Sequence, residues 1–177
     1  MDYHKQRIDR VRLALKKAEV DALLVTDFTN VTYLTGFTGD DSYLLVRRQG
    51  EVLLSDPRYT TQLAEECPGL ELYIRPPGVS MWQAVVKVLR QAKIARLGVE
   101  ADSMTVGLQE KIVQRVKNLQ ITPLGGTVEK LREIKDKQEI AAIRRAAWEA
   151  EKAFAAIRAT LRPDKTEKQI ADELEYQ

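Results

Sequence analysis

The side chains that most often carry catalysis are scarce in this sequence. His4 is its one histidine and Cys67 its one cysteine, so a nucleophilic triad or dyad would have to use them. His4 lies among the first residues, where order is commonly poor, and we predict that it is solvated. Cys67 follows two glutamates whose charges disfavour a thiolate, which predicts a packing role.

Metal chemistry is also poorly supported. One cysteine and one histidine cannot build a zinc site of Cys and His ligands. Carboxylate sites need acidic side chains that converge. Asp40-Asp41 falls in a predicted loop, whereas Glu65-Glu66 falls on a predicted helix, where neighbours do not face one another. No Walker loop occurs, and Gly36-Phe37-Thr38-Gly39 lacks the spacing of a dinucleotide loop. We therefore expect no catalytic residue, metal ligand or cofactor in this chain.

The composition indicates a soluble globular protein and argues against two classes of partner, nucleic acids and membranes. Of the 177 residues, 44% are hydrophobic and 31% charged. The 28 basic and 26 acidic residues interleave, so we expect neither a nucleic-acid nor a membrane partner. The apolar runs are too short to cross a bilayer, and the first residues lack the apolar core of a signal peptide. With one cysteine and no disulfide, we expect a cytoplasmic protein.

Mixed helix and strand patterns up to residue 123 indicate an α/β fold. Apolar residues at helical spacing predict a helix over 4–18, and the runs at 43–47 and 51–54 are spaced as a hairpin. Residues 30–41, rich in Thr, Gly and Asp, are predicted as strand edge and loop. Further helices are predicted at 56–67, from 80 onwards and at 105–117, and further strands at 21–26, 70–74, 96–100 and 119–123. We expect a mixed sheet sandwiched by helices.

The remainder of the chain predicts helices only. Asp136 with Glu139, and Thr166 with Gln169, form capping boxes typical of helix starts. The last helix has no stop signal, so we expect it to continue in a longer polypeptide. The long helix before it carries an apolar stripe, which we expect to be covered by self-association or by folding back. The stripe comprises Ile140, Ile143, Ala147, Ala150, Phe154, Ile157 and Leu161.

Four strings along the chain form a recognisable pattern. They are Asn-Val-Thr-Tyr-Leu-Thr-Gly-Phe-Thr-Gly at 30–39, Leu-Ser-Asp-Pro-Arg-Tyr-Thr-Thr-Gln at 54–62, the segment 128–146, and Leu-Arg-Pro-Asp-Lys-Thr-Glu at 161–167. In this order they resemble the N-terminal domain of Xaa-Pro dipeptidases and aminopeptidases, the creatinase, prolidase and aminopeptidase P family. One departure is Asp40-Asp41, where family members more often have small residues such as Ser.

The resemblance implies a specific architecture. Residues 1–123 would form a creatinase-type, ribonuclease H-like α/β domain, and residues 124–136 a linker. Residues 137–177 would be the first helices of a pita-bread catalytic domain, truncated before its metal ligands. In the family, two Asp, one His and two Glu of that domain hold two divalent ions, often manganese or cobalt.

The resemblance also implies a role. The chain would be the oligomerisation and active-site-wall domain of a metal-dependent Xaa-Pro peptidase, acting on peptide substrates as a homodimer. Arg58 could pair with a peptide carboxylate, and aromatic rings could shield a proline ring. We predict that six residues lie at one edge and face the active site, although a core or ion-pair role stays open for each. They are Tyr33, Phe37, Asp40, Asp41, Arg58 and Tyr59.

Two other functions remain open. The same module occurs in non-catalytic proteins, such as the large subunit of a histone chaperone, where it binds peptides or partners. Creatine-hydrolysing enzymes share it too. The sequence that follows this chain in the gene product would be the most informative observation. Two Asp, one His and two Glu in family order would indicate the enzyme, and their absence would favour the binding module.

Overall fold

The computed structural model describes residues 3–176, which form two compact units. The first ends at Ile134 and the second begins at Lys135. The strands of the first unit are β1 (Ala22–Val25), β2 (Ser42–Arg47), β3 (Glu51–Ser55), β4 (Glu71–Ile74), β5 (Arg96–Glu100) and β6 (Gln120–Leu124). Its helices are α1 (Tyr3–Lys17), α2 (Phe28–Thr35), α3 (Thr60–Glu66, after a 3-10 turn at Pro57–Tyr59), α4 (Met81–Gln91), α5 (Val106–Arg115) and α6 (Glu129–Glu133).

The six strands form one mixed sheet in the order β4-β3-β2-β1-β5-β6. Only β2 runs against the others, because β1–β5, β5–β6 and β3–β4 are parallel pairs and β2 is antiparallel to both its neighbours. The β2–β3 hairpin is the predicted one, with Gly50 at φ 75° in its turn. Helical crossovers join the consecutive parallel strands, α3 between β3 and β4 and α5 between β5 and β6. The predicted mixed α/β sheet is therefore confirmed.

Helices cover both faces of the sheet, so alternate strand residues enter two different cores. Leu23 and Leu44 join one core with side chains of α1, α2, α3 and the start of α6. Leu24 and Leu45 join the other core with α4 and α5. All four strand residues are fully buried or nearly so, as expected for a sheet with no solvated face.

One element differs from the sequence-based expectation. Residues 30–35, the first part of the segment predicted as strand edge and loop, lie in helix α2, which begins at Phe28. Asp27 caps it by accepting the backbone N–H of Asn30 at 2.9 Å, and Gly36 ends it with φ 82°. The string is rich in β-branched residues, which lower helix propensity only slightly. Burial of Val31 and Leu34 against the sheet outweighs that preference.

The expected linker at 124–136 is largely part of the first unit. Val128 is fully buried in the core, and helix α6 follows it directly. The Tyr33 hydroxyl donates to the Leu131 carbonyl at 3.1 Å. Val128 and Leu131, three positions apart, pack on this core. The role of residues 124–136 as a linker stays a prediction.

The second unit contains two helices, α7 (Lys137–Thr160) and α8 (Glu167–Glu175). Both predicted capping boxes are present, at Asp136 and at Thr166. Within the apolar stripe of α7, Ile157 is buried, whereas Ile143 and Phe154 remain 55% and 62% exposed. The expectation that self-association covers the stripe stays a prediction. Among residues 3–176, no helix combines the length and apolarity needed to cross a bilayer.

The central strand β1 offers a direct test of the second core, the one that α4 and α5 cover. Leu24→Ala should lower the free energy of unfolding by about 2–5 kcal/mol, because it leaves a cavity between β1 and the α4–α5 layer. Leu13→Ala is the matched control, since Leu13 is 68% exposed on α1, and it should change stability by no more than about 0.5 kcal/mol. Urea denaturation followed by circular dichroism measures both. Equal losses in the two variants would contradict the assigned burial.

Candidate functional site

The register of the β2–β3 hairpin brings two acidic segments together. Ser42 pairs with Ser55, so the residue before β2 lies beside the residue after β3. The Ser55 hydroxyl fixes this end by donating to the Asp41 carbonyl at 3.1 Å. Asp41 and Asp56 are therefore neighbours in space although 15 positions apart in sequence, from 56 − 41.

Two arginines neutralise these two aspartates. Asp56 accepts the backbone N–H of Arg58 at 2.9 Å and its Nε at 2.8 Å. Arg75 follows β4 and lies 2.5 Å from Asp56 and 2.9 Å from Asp41, in each case through Nη2. Arg58 Nη2 also reaches Asp41 at 3.1 Å. We call Asp41, Asp56, Arg58 and Arg75 the Asp–Arg cluster.

The members of the Asp–Arg cluster differ in exposure. The side chains of Asp56 and Arg75 are 11% and 20% exposed, whereas that of Arg58 is 68% exposed. Asp56 and Arg75 are therefore the buried members of the cluster, and Arg58 is the member that is exposed to solvent. A guanidinium held by its Nε edge can still offer the rest of its planar fork to an anionic ligand.

Hydrogen bonding fixes the charge of two groups here. The Arg58 backbone N–H and side chain, together with the charges of Arg58 and Arg75, hold the pKa of Asp56 below its usual range despite burial. A hydrogen bond to the Asp40 carboxylate raises the pKa of Tyr59, because its deprotonation would place two negative charges together. At neutral pH, Asp56 is thus an acceptor and Tyr59 a donor.

The structure brings four of the six predicted site residues together. They lie at the open end of the β2–β3 hairpin, opposite the turn at Gly50, and are Asp40, Asp41, Arg58 and Tyr59. Phe37 is fully buried and cannot itself face a ligand in this chain. Its ring packs edge-to-face against that of Tyr59, with centroids 5.5 Å apart. Phe37 thus positions the Tyr59 ring.

Tyr33 lies in a different environment. The Arg7 guanidinium stacks over its ring, 4.1 Å from the centroid. Its hydroxyl binds the Leu131 carbonyl, and it is partly buried against the core. Tyr33 thus joins α1, α2 and α6. A role for any of the six residues at an active site stays a prediction.

Sequence reasoning missed two members of the cluster as site residues. Asp56 begins the predicted helix at 56–67 and caps the 3-10 turn there, but it also binds both arginines. Arg75 escaped notice because its partners lie 19 and 34 positions away, from 75 − 56 and 75 − 41. The available signal was its position between a strand and Pro76-Pro77, where functional side chains are often presented.

A second polar network joins two of the recognised strings. Asn30 is fully buried and donates to Glu100 at 2.7 Å and to Glu129 at 2.5 Å. Its side-chain oxygen accepts from Arg132 at 2.9 Å. Glu100 also accepts the backbone N–H of Asp27 at 2.8 Å. The network ties α6 to the ends of β1 and β5, which is a structural role.

The histidine and the cysteine both have packing roles. His4 was predicted to be solvated, but it lies in α1 and is half-buried. A Cβ atom on Gly36 would lie only 3.2 Å from His4 Nε2, so the ring closes over the end of α2. Cys67 is buried, and burial raises the pKa of its thiol. The predicted packing role of Cys67 is confirmed.

The residues present do not fit a two-metal centre. Over residues 3–176, no group of three or more His, Cys, Asp or Glu side chains is placed to hold a metal ion. The carboxylates of Asp41 and Asp56 are already neutralised by arginines. No chemistry through a metal can therefore be derived from this chain.

Comparison with known proteins shows the family of the chain. Residues 7–134 match the creatinase/prolidase N-terminal domain family. The chain belongs to this family. It is 32% identical over 170 residues to YqhT, an uncharacterized peptidase of Bacillus subtilis, with 96% of this chain and 48% of that protein covered.

Solved structures in the family extend the match. An Xaa-Pro dipeptidase from Bacillus anthracis has a TM-score of 0.85 and 29% identity, covering 98% of this chain and 48% of that one. The N-terminal domain of the cytoplasmic peptidase PepQ from Mycobacterium tuberculosis has a TM-score of 0.65 and 33% identity, covering 72% of this chain and 98% of that one. The chain spans about half the length of the curated relatives that it matches.

The lowered pKa of Asp56 predicts how stability depends on pH. A carboxylate with a depressed folded pKa stabilises the fold above its unfolded pKa of about 3.9, and this contribution is lost as pH falls through the folded value. Asp56→Asn should therefore unfold more easily than wild type at neutral pH. The gap should close as the pH drops below about 4.

Asp102→Asn is the matched control, because Asp102 is exposed on the same unit. Its urea denaturation midpoint should follow that of wild type from neutral to acidic pH. A gap between Asp56→Asn and wild type that stays constant with pH would contradict the assignment of a depressed pKa to Asp56.

Proposed function

We propose that this chain is the N-terminal domain of a metal-dependent Xaa-Pro peptidase, in which it walls the active site and supports dimerisation. The observation that carries the proposal is the correspondence of nearly the whole chain with about half of an Xaa-Pro dipeptidase. Peptidase names outnumber the one creatinase among the relatives, which favours this function over a non-catalytic binding module or creatine hydrolysis. The metal ligands would lie outside this chain.

The Asp–Arg cluster supports an active-site-wall role by the way it presents Arg58. Asp56 orients the guanidinium, while the contact with Asp41 is longer, at 3.1 Å. Arg75 also neutralises Asp41. A peptide carboxylate could therefore replace Asp41 on Arg58 without leaving a buried charge unpaired. The hydroxyl of the neighbouring Tyr59 already donates its one proton to Asp40, so its oxygen could accept a hydrogen bond from a peptide N–H.

The first test concerns what this chain can do alone. The purified chain, assayed on an Xaa-Pro dipeptide with added manganese, should show no hydrolysis above a buffer control, because it holds no metal centre over residues 3–176. The polypeptide encoded by the whole gene should cleave the same dipeptide. Chelator-sensitive activity of the chain alone, or inactivity of the whole gene product loaded with manganese or cobalt, would refute the proposal.

The second test concerns Arg58 in the whole gene product. Arg58→Ala should lower kcat/KM for Xaa-Pro peptides about tenfold to a hundredfold, the loss expected for one hydrogen bond to a charged group of about 1.5–3 kcal/mol. Arg10→Ala is the matched control, since Arg10 is an exposed residue of α1. An unchanged kcat/KM for Arg58→Ala, with folding and oligomeric state intact, would remove Arg58 from the site.

The third test concerns the apolar stripe of α7. We expect the chain alone to self-associate, because several large apolar side chains of the stripe stay exposed, each of which gains about 1.5–3 kcal/mol on burial. Ile143→Ser with Phe154→Ser should shift light-scattering mass toward a monomer. Trp148→Ser is the control, because Trp148 is 55% exposed on the same helix but outside the stripe. A wild-type chain that is monomeric at high concentration would contradict this expectation.

A further inference from the structure

Five exposed cations gather on one side of the first unit. They come from the ends of the two helices that cover the second core and from the residues that follow them. We call them the α4–α5 basic surface. Its members are Lys87, Arg90, Lys93, Arg115 and Lys117.

Two adjoining surface cavities hold these cations together. One has a volume of about 490 Å³ and the other about 390 Å³. Both are lined by Arg90 and Arg115, so they adjoin one another, and we call the two cavities together the depression. Neither is lined by an acidic residue, which leaves the whole depression positively charged.

The floor of the depression is apolar. Leu89, Ile94 and Val116 line the first cavity, and Trp82 and Val86 line the second. A depression with a basic rim and an apolar floor offers two kinds of contact at once. A ligand that uses both must carry negative charges and apolar groups together.

The cations of this surface are not neutralised by carboxylates, whereas several arginines elsewhere on the unit are. Arg12 pairs with Asp9 and Glu51, and Arg96 pairs with Asp21. Within the described residues, no ion pair is recorded for any member of the α4–α5 basic surface. Positive charges held close together repel one another, and an external anion would offset this cost.

Two arginines and a lysine of the surface are instead held by neutral groups. Arg90 donates to the Arg115 carbonyl. Arg115 lies over the ring of Trp82, 5.5 Å from its centroid, and Lys87 lies 5.3 Å from the centroid of Tyr73. These contacts position the side chains without neutralising them. The cations are thus preorganised for an anionic ligand.

We infer that the α4–α5 basic surface binds an acidic protein segment that carries apolar side chains between its carboxylates. Carboxylates would pair with the guanidinium forks of Arg90 and Arg115, and apolar side chains would enter the two cavities. A nucleic-acid backbone supplies the charge but has no apolar side chains for the floor. This inference is independent of the proposed peptidase role, since it uses other residues.

Fluorescence anisotropy with the chain as it stands tests the inference. The probe is a short fluorescein-labelled peptide of Glu, Asp and Leu with acidic residues in excess. It should bind at low salt and weaken as salt rises, because exposed charges are screened. A peptide with Gln and Asn in place of the acids, and one with Ser in place of Leu, should each bind about tenfold or more weakly.

Charge-neutral variants locate the binding. Arg90→Gln with Arg115→Gln should weaken binding of the acidic peptide about tenfold, with circular dichroism confirming the fold. Lys87→Gln with Lys117→Gln should also weaken binding of the acidic peptide. This second variant leaves the hydrogen bond between Arg90 and the Arg115 carbonyl intact. Arg10→Gln with Lys17→Gln on α1 is the matched control and should bind as wild type does.

Three results would overturn the inference. One is equal weakening by the control pair, which would show only a general charge effect. Another is equal affinity for the peptide in which Ser replaces Leu, since the apolar floor would then have no part. The last is tighter binding of duplex DNA than of the acidic peptide, which would assign the surface to nucleic acid.

Discussion

The candidate site depends on the register in which β2 pairs with β3. Ser42 opposite Ser55 places Asp41 against Asp56, and the parallel pairing of Ser55 with Ile74 then delivers Arg75 to both. A slip of one residue would send every side chain of β2 to the opposite face. Both faces are buried, but they meet different helices. Packing in the two cores therefore fixes the β2–β3 register, and this register brings the residues of the site together.

This dependence explains why the cluster contains two arginines. Two carboxylates that are forced together at a buried sheet end would repel each other and pay for lost hydration. Arg75 reaches both of them, so the inner part of the cluster is held without help from solvent. Arg58 is then the member whose contacts can change without leaving an unpaired charge in the interior.

Local signals made much of the fold predictable, and non-local contacts account for most of what was missed. The hairpin and the capping box at Thr166 depend on neighbouring residues, and both are present. Helix α2 was missed because its composition favours strand, while its stability comes from burial against the sheet. Arg75 was missed because its partners come from β2 and β3. The α4–α5 basic surface had a readable signal, since no acidic residue occurs from 72 to 99 or from 111 to 128.

The recognised strings carry different kinds of information, and the structure separates them. Segment 30–39 meets segment 128–136 at the buried amide of Asn30, where the contacts hold α6 in place. Segment 54–62 instead meets Asp40 and Asp41 at the surface, where Arg58 is exposed. A motif of the first kind identifies the fold, because its loss would leave buried polar groups unpaired. A ligand can reach the groups of segment 54–62 but not the buried amide of Asn30. Of the two segments, the one at the open end of the β2–β3 hairpin is therefore the better candidate for a functional site.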